Sequence, residues 1–78
     1  MDINYSPKAL KFLKKQSPVV SKRIIKAINK LPKGDVKRLE GSHDFRLRVG
    51  KFRILFDRAG NVIDIIDIDS RGQIYKRR

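Results

Sequence analysis

Phe45-Arg46-Leu47-Arg48-Val49-Gly50-Lys51-Phe52-Arg53-Ile54-Leu55-Phe56 is the stretch whose reading decides the fold. Its first five residues alternate between apolar side chains and arginine, the period-two pattern of a strand with one buried and one exposed face. Gly50-Lys51 interrupts the pattern. A two-residue loop with glycine first suits a type II′ turn, because only glycine takes the required positive φ without strain. That turn sets a register in which Val49 faces Phe52, Arg48 faces Arg53, Leu47 faces Ile54, Arg46 faces Leu55 and Phe45 faces Phe56. Phe45, Leu47, Val49, Phe52, Ile54 and Phe56 then share an apolar sheet face, and Arg46, Arg48, Arg53 and Leu55 share the other.

Like charges directly opposite across a ladder destabilise it by roughly some tenths of a kcal/mol, so the pairing of Arg48 with Arg53 asks for a reason. One reading is functional: three guanidiniums on one strand face form a fork-shaped anion site, and a polyphosphate backbone is the natural ligand. The other is a solvated outer face whose arginines pair with carboxylates elsewhere.

Composition narrows the choice. With 78 residues the chain is one domain, of a size that buries only about 60% of its unfolded surface. It has no cysteine for a disulfide and a single histidine, so neither a staple nor a His/Cys metal cluster is expected, and no cofactor is called for. Stability is expected from a compact two-layer core or from a partner. Twenty basic against eight acidic residues give a formal charge of +12, which points to a polyanionic target bound in a salt-dependent way. Nucleic acid comes first, an acidic protein is compatible with it, and an anionic membrane surface comes third because the helical stripes below are narrower than such binding needs. No apolar run approaches the ~20 residues of a membrane span and no signal-peptide pattern opens the chain, so a cytoplasmic protein without membrane partners is expected.

From the start of the chain, Ile3 and Tyr5 alternate as in a short strand ended by Ser6-Pro7. Ser6 as N-cap and Pro7 at the first helical position open a helix to about Lys15, with Ala9, Phe12 and Leu13 on its apolar stripe. Ser17-Pro18 repeats the signal. Val20, Ile24, Ala27, Ile28 and Leu31 recur at helical spacing, and Leu31-Pro32 followed by Gly34 ends the second helix. Helices joined so tightly are expected to form an αα-hairpin over a sheet face.

Residues 33–44 are polar and glycine-punctuated and read as a loop anchored by Val36 and Leu39. After the arginine hairpin, Asp57-Arg58-Ala59-Gly60-Asn61 reads as a second turn and Val62 to Asp69 as the last strand. That strand has isoleucine on both faces: the pattern leaves open whether Ile63 and Ile65 or Ile66 and Ile68 face the helices. Asp64, or Asp67 with Asp69, accordingly falls on the arginine side. The expected architecture is α+β, in the order β-α-α-β-β-β, with an antiparallel-dominated sheet covered on one face by the helical hairpin.

Tyr5-Ser6-Pro7-Lys8-Ala9, the Leu39-Glu40-Gly41 turn, the stretch from Phe45 to Phe56, and Asp67-Ile68-Asp69-Ser70-Arg71-Gly72-Gln73-Ile74-Tyr75 resemble, in order and spacing, the RelE/ParE superfamily of bacterial toxin-antitoxin systems. The resemblance spans essentially the whole chain and favours the RelE branch: small basic ribonucleases that enter the ribosomal A site, cut messenger RNA and are silenced by a co-expressed antitoxin. Carried over by position, it implies a catalytic set of Arg46, Arg48, Arg53, Arg71 and Tyr75, with messenger RNA, the ribosome and an acidic antitoxin as partners.

Cleavage by the neighbouring 2′-hydroxyl needs a proton acceptor, a stabiliser of the pentavalent phosphorane and a proton donor for the leaving 5′-oxygen. Arg46, Arg48 and Arg53 suit the second role, Arg71 the phosphate or the leaving group, and Tyr75 a base stack or the 2′-hydroxyl. RelE carries lysines where this chain has Arg46 and Arg48. Arginine, with a pKa of roughly 12.5 to 13.8, does not act as a base. The base is therefore open among His43, Asp69 and Tyr75. The same fold also serves ParE-like toxins, which inhibit DNA gyrase without chemistry, and would serve a family member that has lost activity.

Overall fold

The computed structural model describes residues 2–70. The elements are β1 (Asp2–Tyr5), α1 (Pro7–Lys14), α2 (Pro18–Ile28), β2 (Asp35–Arg38), β3 (Phe45–Val49), β4 (Phe52–Ala59) and β5 (Val62–Asp69). The strands make one sheet in the order β1-β5-β4-β3-β2, antiparallel except where the edge strand β1 runs parallel to β5.

The two helices begin where their caps demand. The Ser6 hydroxyl accepts the Ala9 amide at 3.0 Å and the Ser17 hydroxyl accepts the Val20 amide at 3.3 Å, each followed by proline at the first helical position. Ser6 also donates to the Ile66 carbonyl at 2.7 Å, so one side chain ties the start of α1 to β5. The Ser21 hydroxyl, on α2, donates to the Leu13 carbonyl at 2.6 Å, a second bond to an acceptor at the end of α1 that the Gln16 amide also reaches at 3.2 Å, and so ties the two helices together. Ala9 and Leu13 of α1 and Ile24 and Ile28 of α2 pack with Leu47, Phe52, Ile54, Phe56, Ile63, Ile65 and Ile68 of the sheet in one core.

The β3–β4 register is the one the turn requires, from Phe45↔Phe56 to Val49↔Phe52. Gly50 has φ +58° while Lys51 stays out of the positive region, as type II′ geometry demands. Phe45 stacks on Phe56 at 5.3 Å between ring centroids, and Phe12 meets Phe52 edge-on at 6.0 Å.

Three features differ from the sequence reading. Asp35–Arg38 is not loop but an edge strand paired with β3, so the order is β-α-α-β-β-β-β. The second hairpin turn is only Gly60-Asn61, since β4 continues through Asp57, Arg58 and Ala59. Most consequential is a bulge in β5: Leu55 pairs with Asp67 and Phe56 with Ile65, so Ile66 has no opposite residue on β4. An extra residue shifts the side-chain phase by one. Ile63, Ile65 and Ile68 therefore all enter the core, which resolves the choice between the two isoleucine pairs by taking members of both.

Candidate nucleic-acid interface

With both helices on one face, the opposite sheet face is left to the arginines. Two cross-strand rows define it. The first runs Asp35, Arg48, Arg53, Asp69 and the second Lys37, Arg46, Leu55, Asp67, across β2, β3, β4 and β5. The first row carries charge in the order minus, plus, plus, minus. Carboxylates at both ends explain how the sheet tolerates adjacent arginines at its centre.

The three arginines of this face differ in state. The Arg46 side chain is only 9% exposed, and its Nη1 donates to the Asp35 carbonyl at 3.3 Å and to Asp35 Oδ1 at 3.2 Å. A buried guanidinium needs such partners, because an unpaired charge away from water is costly. Arg48 remains about half exposed, with Nε 3.9 Å from Asp35 Oδ2. Arg53 is partly buried and makes no ion pair with the described residues. Arg46 is thus largely engaged within the fold, while Arg48 and Arg53 keep most of their donors for something else.

All three line one cleft of about 320 Å³ together with Lys37, Arg38, Leu39 and Glu40. Lys37 to Glu40 also line a broader concavity of about 640 Å³ that continues round the loop to His43. Five cations facing one concave surface, with a second open surface beside it, suit a phosphodiester flanked by bases. Sequence reasoning missed three of the lining residues, Lys37, Arg38 and Glu40, and the ion-pair partner Asp35. Their one available signal was the inward Val36 between polar neighbours, too short a pattern to read as a strand.

The acids on this face fall out differently from one another. Asp67 lies in the Arg46 row, but its Oδ2 is 3.3 Å from Lys8 Nζ on α1, and its Oδ1 accepts the Ile68 amide at 2.8 Å. Asp69 lies opposite Arg53 and, with Asp67, Lys8, Lys11 and Lys15, lines a separate groove along α1. Asp64 accepts the Asn4 side-chain amide at 3.1 Å, at the far end of the sheet. His43 lines the loop concavity but not the arginine cleft. On the inner face the Tyr5 phenol is pushed above its ordinary value by burial; this marks it as a packing residue rather than a cleft group. Arg71 and Tyr75 lie outside the described residues.

No protein-family model matches the chain, and no curated protein matches it by sequence. Solved structures do. The chain is similar to the RelB–RelE antitoxin-toxin complex of Methanococcus jannaschii, at 26% identity with a TM-score of 0.76, over 95% of this chain and 96% of that one. It is similar to the RelBE2 toxin-antitoxin complex of Mycobacterium tuberculosis, at 20% identity and a TM-score of 0.72, over 90% of each chain. It is similar also to the YoeB–YefM toxin-antitoxin complex of Staphylococcus aureus, at 22% identity and a TM-score of 0.65, over 86% of this chain and 92% of that one. A two-helix hairpin on a five-stranded sheet, matched over 86 to 95% of its length by these chains, gives the protein the fold seen in the RelE and YoeB toxin-antitoxin complexes.

Proposed function

We propose that this protein is a toxin that cuts messenger RNA in the ribosomal A site and is silenced by an acidic antitoxin. The observation that carries the reading is the arrangement of Lys37, Arg38, Arg46, Arg48 and Arg53 around a single cleft. The scissile phosphate lies against Arg48 and Arg53, whose guanidiniums stabilise the extra charge of the phosphorane. Arg46, fixed by Asp35, holds the position of the floor rather than swinging to the substrate. Arg71 and Tyr75 act at the leaving group and the neighbouring base. The antitoxin supplies carboxylates to the same cleft, since charge complementarity is what a cationic concave surface selects. That the similar M. jannaschii, M. tuberculosis and S. aureus chains were solved with antitoxins supports such a partner.

The test is induction of the protein followed by primer extension on translated messages. Cuts within codons are expected, reduced at least a hundredfold by Arg53→Gln or Arg71→Gln. Intact messages with relaxed plasmid DNA would instead indicate a gyrase inhibitor, and unaltered growth an inactive member of the fold.

A further inference from the structure

The arginine cleft has no arginine that can serve as a base, and the histidine lies outside it. One acid does line it. Glu40 follows β2 on the loop side of the arginine pair and is exposed; its carboxylate makes no ion pair or hydrogen bond with the described residues. Asp35, by contrast, is engaged by Arg46 and Arg48, and Asp67 by Lys8. An uncommitted carboxylate beside five cations is out of place in a surface built only to hold phosphate, because it repels the ligand the cations attract.

We infer that Glu40 is the general base that takes the 2′-hydroxyl proton, an assignment that rests on the nuclease reading above. In-line displacement places the attacking 2′-oxygen and the leaving 5′-oxygen on opposite sides of phosphorus. Lys37 lies opposite Arg46 and Arg38 opposite Phe45, so the chain continues to Glu40 past Arg46, and Glu40 meets Arg48 and Arg53 only across the shared cleft. The assignment seats the phosphate in that cleft with the 2′-oxygen apical on the Glu40 side. The 2′-oxygen forms its bond to phosphorus as its proton passes to a Glu40 carboxylate oxygen. The bond from phosphorus to the 5′-oxygen breaks, and that oxygen takes a proton from a donor on the far side or from water. Glu40 returns its proton to solvent. The products are a 2′,3′-cyclic phosphate and a 5′-hydroxyl end, with no net gain or loss of protons.

The experiment is single-turnover cleavage of messenger RNA on programmed ribosomes by the wild type, E40A, E40D and K37M. A general base contributes roughly 10²- to 10⁴-fold, so E40A is expected to lose at least a hundredfold in rate. It should still bind ribosomes carrying a 2′-deoxy nucleotide at the cut position within about twofold of wild type. Added formate should restore part of the E40A rate and none of the K37M rate, and E40D should retain more activity than E40A. An E40A rate within threefold of wild type would overturn the assignment, as would a loss matched by weaker binding, or one that formate does not relieve. A change only in which codons are cut would make Glu40 a reader of base edges and not the base. A wild type that leaves the message intact would sink the nuclease reading itself, and the assignment with it.

Discussion

Ser6 shows how much one residue carries in a chain this small. Its hydroxyl caps α1 and reaches the Ile66 carbonyl in the bulge, so Ser6→Ala removes a cap and orphans an acceptor together. A loss of about 1 to 2 kcal/mol is expected, seen as a melting temperature lower by roughly 5 to 10 °C. Asp35 is the second such residue. Asp35→Asn keeps its shape but withdraws the charge beside a guanidinium that is 9% exposed. Because Asp35 itself is more than half exposed, the expected cost in chemical denaturation is toward the low side of buried pairs, about 1 to 3 kcal/mol. The Arg48 partner it also holds is released toward the cleft, so RNA binding should hold or strengthen even as stability falls. Equal losses in both would show that Asp35 contributes to the ligand site directly.

At the scale of elements, the hairpin from Phe45 to Phe56 was legible because three independent signals agreed: strict alternation, a glycine-first turn, and aromatic residues at both ends of the register. The helices were legible for the same reason, each opened by a Ser-Pro pair. β2 was not, since Asp35-Val36-Lys37-Arg38 offers one inward apolar residue and its strand identity comes from pairing with β3, a tertiary cause. With β2 unread, Asp35 and two cleft cations were unread too, which is why the cleft's arginines were found without their wall. The bulge escaped because period-two reading assumes constant phase. Deleting Ile66 should test its role: with the extra residue gone, either Ile63 and Ile65 or Ile68 turns out of the core. Loss of cooperative thermal unfolding is the expected outcome.

For the molecule as a whole, charge dominates. A formal +12 on 78 residues predicts that affinity for single-stranded RNA falls steeply with salt. If four phosphates are neutralised in the cleft, a plot of log Kobs against log salt has a slope near −3, and replacing Arg48 or Arg53 by glutamine makes it shallower by about 0.7. A substitution on the helical side, such as Lys26→Gln, should leave the slope of a short oligonucleotide unchanged. Fluorescence anisotropy across a salt series measures all three. A slope insensitive to Arg48 and Arg53 but sensitive to Lys26 would move the RNA site to the helices.

Placing both helices on a single side of the sheet has one more consequence. The centre of the other side confronts a second copy of itself with guanidinium against guanidinium, so homodimerisation through Arg48 and Arg53 is opposed by like-charge repulsion at low ionic strength. A surface of opposite sign meets no such penalty at those two residues, so this face discriminates by charge before shape is compared.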